Sequence, residues 1–200
     1  HKARQLKVSI LRKMRRKDEA LALIEDSLKI DKFNMGCRFE KYLLTNDAND
    51  LDEVKTLMRG ATHSYIEYAR DFTGVGLYDE GSKLLSYSIT DENNVYPMVY
   101  YTLGYFASQS GNSDKAKEYY EKASKMNPDK CFPNRIEEVN ILQDAMKINP
   151  IDSYAPYYLG NFWYAFRQYD NAKECWEKSM QLNDKFPTVL RNMALAYYNK

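Results

Sequence analysis

The feature that most constrains this 200-residue chain is an internal repeat. Tyr100-x2-Leu103-Gly104-x2-Ala107 is followed by Ala116-x3-Tyr120, and then by Ala123 and Pro128. The same order returns in Pro156-x2-Leu159-Gly160-x2-Trp163, Ala172-x3-Trp176 and Ser179. It begins a third time at Leu190-x2-Met193-Ala194-x2-Tyr197, and Leu159 and Met193 are 34 residues apart. Periods of roughly 20–50 residues mark stacked supersecondary units, each too small to bury its own apolar face. The spacing has a physical reason. Small residues (Gly104, Gly160, Ala194, Ala116, Ala172) stand where two helices cross closely, and large ones (Tyr120, Trp176, Leu159) fill the gap to the next unit. Gly (8) and Pro (6) are scarce for this length, which argues against a turn-rich β protein.

Weaker copies lie upstream. Tyr65-x2-Tyr68-Ala69-x2-Phe72, Gly81-x3-Leu85 and Ser88 make one, and Asp18-Glu19-Ala20-x3-Ile24 with Ser27 gives a clear second helix near the start. The helix before that one keeps only Val8 and Leu11 in place. The pattern predicts repeats at 1–34, 35–61, 62–96, 97–130 and 153–186, with a partial one at 187–200. Between Asp129 and Asp152 the period breaks. Ile136, Val139, Ile141, Leu142, Ala145, Met146 and Ile148 have helical spacing there, so 131–152 reads as an inserted half repeat whose helix spans about Asn134 to Lys147. Gly111-Asn112 and Asn127-Pro128 read as helix ends, and Ser113 as an N-cap.

Period and pattern together closely resemble the tetratricopeptide repeat (TPR), whose signature is W-x2-L-G-x2-Y, A-x3-F and a closing Pro. The resemblance covers nearly the whole chain, most strongly after Thr62. It implies an all-α fold, a right-handed α-solenoid of tandem antiparallel helix pairs in a single array over residues 1–200. Phe132-Pro133-Asn134-Arg135 and Tyr157-Tyr158-Leu159-Gly160-Asn161 also resemble a narrower group. These are large bacterial proteins of unassigned function, in which a TPR array accompanies β-rich domains similar to sugar mutarotases.

Catalytic motifs do not emerge. The two histidines are His1 and His63, and His63 reads as an exposed helix-start residue. There is no H-x-x-x-H, no Gly-rich phosphate loop and no G-x-S-x-G. Neither an enzyme, nor a metal site, nor a cofactor is expected. The net charge is +1, yet the first 17 residues carry eight Lys/Arg and no acid before Asp18. Interleaved with Leu6, Val8, Ile10, Leu11 and Met14, these cations read as the solvated face of a helix, so neither nucleic acid nor membrane is expected as a partner. Cys37, Cys131 and Cys175 lie far apart with no CxxC, the usage of a reducing compartment, which points to the cytoplasm unless a signal peptide has been removed.

The informative constellation is aromatic and polar. Tyrosine, at 18 residues, far exceeds Phe (8) and Trp (2), and its ring with a polar tip suits half-buried walls. The TPR resemblance implies that the first helix of each pair lines a concave groove. Groove positions are then His63, Ile66, Glu67, Arg70 and Thr73; Met98, Tyr101, Thr102, Tyr105, Ser108 and Gln109; Tyr154, Tyr157, Tyr158, Asn161, Tyr164 and Ala165; and Thr188, Arg191, Asn192, Leu195, Tyr198 and Asn199. The predicted ligand-binding set is Tyr101, Tyr105, Tyr154, Tyr157, Tyr158, Asn161, Tyr164, Arg191 and Asn192, partly exposed and aligned by stacking. Such a wall suits an extended peptide or a sugar chain. It does not resemble the carboxylate clamp of chaperone-binding TPRs, toward which only Arg191, Asn192 and Asn161 stand in place. The expected function is a protein-interaction or scaffold module. The alternatives are a helical accessory region of a larger carbohydrate-binding or carbohydrate-processing protein, and a structural spacer.

Overall fold

The computed structural model describes residues 2–198; His1 and the predicted groove position Asn199 lie outside them, as does Lys200. The described residues form twelve α-helices and no strand: α1 (Lys2–Lys13), α2 (Lys17–Ile30), α3 (Met35–Thr45), α4 (Ala48–Met58), α5 (Thr62–Thr73), α6 (Tyr78–Ser86), α7 (Pro97–Gln109), α8 (Ser113–Ala123), α9 (Ile136–Ile148), α10 (Tyr154–Ala165), α11 (Tyr169–Leu182) and α12 (Pro187–Tyr198). The all-α helical repeat read from the sequence is the fold. The sequence reads as one continuous array, whereas the chain divides into two compact units, His1–Ser88 and Ile89–Lys200. The connection from α6 to α7 runs over 87–96, where Thr90 to Asn94 are solvated and Asp91 accepts a hydrogen bond from the Asn93 amide.

In the first unit, α1 packs on α2, α3 on α4 and α5 on α6, with α3 also against α1 and α2. Val8, Leu11, Ala20, Ile24 and Cys37 form one buried cluster. Phe39 carries the core onward by edge contact with Phe72, ring centroids 5.6 Å apart. Across this apolar core runs a charged tie. Glu40, fully buried, accepts from Ser9 Oγ and Arg12 Nε, and Arg12 reaches on to Glu80, 2.9 Å away. Lys13 also pairs with Glu80, at 2.6 Å. One guanidinium fork thus ties α1 to α3 and α6, a geometry that a lysine does not supply.

In the second unit, the close crossings fall where the small residues predict. Ala116 and Ala172 are fully buried. A methyl group built on Gly104 would lie 2.5 Å from Tyr120 Cε1, and one on Gly160 would overlap the Trp176 ring. The insert is helical, as expected, with its start at Ile136 in place of Asn134. The carboxylate of Glu138 explains that start, because it accepts from the backbone amides of Asn134 and Arg135 at 2.7 and 2.9 Å. Helix α9 packs against α7, α8 and α10. The Tyr120 hydroxyl donates to Asp144 of α9 at 2.6 Å, which joins the insert to the preceding pair.

The turns inside the pairs share one device. In four of the five pairs a residue with left-handed backbone stands five positions before a small residue of the second helix: Arg15 before Ala20, Gly76 before Gly81, Gly111 before Ala116 and Arg167 before Ala172; in the α3–α4 pair the left-handed Asn46 stands five before Leu51. Glycine adopts this conformation freely, while an arginine does so at a cost of roughly 1–2 kcal/mol.

Candidate functional site

The tyrosines of the predicted groove divide into two classes. Tyr101 and Tyr158 are fully buried. Their rings meet edge to face at 5.9 Å, Tyr101 lies 6.3 Å from Tyr120, and Tyr158 lies 5.4 Å from Tyr157. Tyr157 in turn packs on Phe186 at 4.7 Å. This aromatic ladder runs through the core from α8 to the start of α12. The expectation that Tyr101 and Tyr158 would face a ligand is therefore corrected: their rings and the Tyr101 hydroxyl serve the fold. Tyr101 donates to Asp152 at 2.7 Å, and the same carboxylate accepts from the amides of Tyr154 and Ala155 at the start of α10. Burial, with the adjacent Asp152 charge, pushes the Tyr101 phenol well above its ordinary range. Burial likewise raises Asp152, against the pull of those three hydrogen bonds.

The rest of the predicted set lies nearer the surface, except Tyr157: expected from the sequence to be partly exposed, it is buried, 5% exposed, by its packing on Tyr158 and Phe186. Tyr157, Asn161, Tyr164 and Asn192 line one cavity of about 240 Å³, together with Phe132, Ala165, Trp176 and Leu195. Ala165 and Leu195 are predicted groove positions, while Phe132 and Trp176 are not. Helix α10 supplies the floor, because its residues 157, 161 and 164 recur one turn apart on one face. Helix α12 forms one wall with Asn192 and Leu195. Phe132 enters from the segment before α9, held by its buried neighbours Cys131 and Pro133 while its own ring is 65% exposed. Tyr105 and Tyr154 are half-buried outside this cavity, and Arg191 is exposed beside it.

Polar order inside the cavity follows from one donor. The Trp176 indole N–H can only donate, and it does so to Asn161 Oδ1 at 3.2 Å. Asn192 Nδ2 donates to the same oxygen from α12 at 3.1 Å, and Arg191 donates to Asn192 Oδ1 at 3.4 Å. With its carbonyl taken twice, Asn161 keeps its amide hydrogens for something else, and Asn192 keeps its second one. Tyr164 packs at a tilt against the Trp176 ring, centroids 5.3 Å apart, so the aromatic wall and the amide pair are fixed by the same indole. The arrangement offers flat apolar walls and a few oriented N–H donors. It offers no nucleophile–base pair, and among the described residues no group of three or more His, Cys, Asp or Glu is placed to hold a metal ion. Among the same residues, no helix is long and apolar enough to cross a membrane.

No curated protein sequence matches the chain. Among solved structures it is similar to MamA, at 17% identity over 96% of this chain and 83% of that one, with a TM-score of 0.34. TTC0263, described as a thermophilic TPR protein in Thermus thermophilus, aligns at 16% identity over 99% and 100%, with a TM-score of 0.34. YrrB, described as a TPR protein with an unusual peptide-binding site, aligns at 14% identity over 92% and 87%, with a TM-score of 0.29. The tetratricopeptide-repeat family model matches residues 99–130, the stretch that holds α7 from Val99 onward, α8 and the turn after them. Residues 99–130 thus carry one tetratricopeptide repeat, and the same residue pattern recurs in α10 and α11.

Proposed function

We propose that the chain is a protein-interaction module that holds an extended peptide segment in the cavity between α10, α12 and Phe132. The TPR fold supports the interaction role in general. The observation that carries the specific reading is the amide pair Asn161–Asn192 set between aromatic walls. An extended peptide presents a backbone carbonyl at every residue, and oriented amide donors in a half-dry groove match it. Tyr164, Phe132 and Leu195 then receive apolar side chains of the bound segment, giving large contact area at low entropy cost. No charged side chain lines the cavity, so its occupant is a neutral, apolar stretch.

The test uses Phe132 and Leu195, which are 65% and 50% exposed. Phe132→Ala and Leu195→Ala should each leave stability within ~0.5 kcal/mol. Each should weaken a peptide selected on the wild-type protein by about 1–2 kcal/mol, since they sit at the contact and not in the core. A peptide array and a glycan array, probed in parallel with wild type and both variants, decide the ligand class. Peptide binding that both substitutions leave unchanged overturns the proposal, and so does selective binding to glycans.

A further inference from the structure

A second cluster, within the first unit, has a different chemistry. Tyr42 near the end of α3 and Tyr87 just after α6 bring their hydroxyls within 3.1 Å of each other. Lys83 of α6 lays its ammonium over the Tyr42 ring, 4.7 Å from the centroid. Lys55 of α4 does the same over Tyr87 at 5.0 Å. Three helices and a cap residue thus converge two cations and two phenols on one spot.

Acids for these lysines were within reach. Asp52 stands three residues before Lys55 and Asp79 four before Lys83, the spacings at which helix ion pairs form. Neither pair forms; both ammonium groups turn to the rings. Among the described residues, no ion pair or hydrogen bond joins Lys55 or Lys83 to a carboxylate. The cluster carries about two positive charges with no built-in counter-charge. The phenol pair shares one hydrogen, because one hydroxyl donates to the other, and the second hydroxyl keeps a hydrogen to give. Each lysine has three N–H donors and none is used on a carbonyl or carboxylate. The Tyr87 hydroxyl, and after it Lys83 and Lys55, pull the Tyr42 phenol below its ordinary value, whereas burial and the Tyr42 partner push Tyr87 up.

We propose that Lys55, Lys83 and the Tyr42–Tyr87 hydroxyl pair form a recognition site for a phosphate-type dianion, either free or as a phosphoryl group on a partner. A carboxylate would neutralise only one of the two cations. A phosphoryl group carries about −1.5 to −2 at neutral pH and has three acceptor oxygens, which match two ammonium groups and one phenol hydrogen. The ring faces hold the two ammonium groups beside the hydroxyl pair before the anion arrives.

The experiment titrates the whole chain with inorganic phosphate at constant ionic strength, with chloride as the control, and follows resonances of Lys55, Lys83, Tyr42 and Tyr87 by NMR. Saturable shifts confined to this cluster, with a millimolar dissociation constant, are expected. Lys55→Met with Lys83→Met should weaken binding at least about tenfold. Both lysines are exposed, so the variant keeps its fold, and a wild-type backbone spectrum away from the cluster checks this. A phosphoserine peptide binding more tightly than inorganic phosphate assigns the site to a phosphorylated partner, and equal affinity assigns it to the free ion. Linear, non-saturating shifts, or shifts equal in the double variant, overturn the proposal.

Discussion

Gly160→Ala is the substitution on which helix propensity and packing disagree most sharply. In an exposed helix the change would stabilise by about 1 kcal/mol, because alanine loses less backbone entropy than glycine. Here the added methyl would overlap Cδ1, Nε1 and Cγ of Trp176. The indole has little freedom to retreat, since it is 2% exposed, donates to Asn161 and packs against Tyr164. Overpacking of this kind costs about 1–3 kcal/mol. Displacing the ring also weakens its hydrogen bond to Asn161, worth roughly 0.5–1.5 kcal/mol. Against the propensity gain, the net is a destabilisation of about 0.5–3.5 kcal/mol. Urea denaturation of Gly160→Ala, Trp176→Leu and the double variant measures it as a coupling energy. In the alanine background, Trp176→Leu should cost about 1–2 kcal/mol less than in wild type, because the smaller side chain relieves the overlap. Additive substitutions, or a Gly160→Ala protein as stable as wild type, would refute the assignment of Gly160 as a close-crossing residue fixed by Trp176.

Three further outcomes follow from the same structure. Ala116→Leu and Ala172→Leu should each cost ~1–3 kcal/mol, read as a lowered thermal midpoint, because both alanines are fully buried at crossings. Arg167→Gly should stabilise by about 1 kcal/mol, since it relieves a left-handed non-glycine residue at the place where the preceding pair has Gly111; an unchanged urea midpoint would count against strain there. Burial works to raise Glu80, but hydrogen bonds from Lys13 and Arg12 prevail and hold its pKa below the ordinary 4.5. A depressed carboxylate contributes stability that is full above 4.5 and lost as pH falls through the folded value, so the stability gap between wild type and Glu80→Gln should close in that acidic window and stay constant at neutral pH.

Much of this architecture is legible in the residues because close helix crossings demand small side chains at fixed spacing. Gly104, Gly160, Ala116 and Ala172 announce the pairs, and the spacing of Val139, Leu142 and Ala145 announces the inserted helix. The turns are less legible: Arg15 and Arg167 occupy the left-handed position that Gly76 and Gly111 mark plainly, so the shared device shows only in backbone angles. The groove is half legible. Helical spacing places Tyr157, Asn161, Tyr164 and Asn192 on one face, and they do line one cavity. The same spacing does not tell Tyr101 and Tyr158 from them, because α9 and its leading segment cover a face that a regular repeat leaves open. Phe132 escapes the pattern for the related reason that it acts from an irregular segment with no period. Trp176 reads as a packing residue, and it packs, but its single N–H also sets the orientation of Asn161. A ring whose donor must be satisfied is the available signal.

Whether the Asn161–Asn192 amide pair receives a peptide backbone is read from the side-chain amide resonances of those two residues. A peptide selected for binding is titrated into the labelled protein. Both side-chain NH2 signals should shift with the same saturation curve as the peptide's own binding, along with Leu195 methyl signals, while the buried Tyr101 and Tyr158 rings stay put. Saturable peptide binding that leaves both amide signals unmoved would contradict this role of the amide pair.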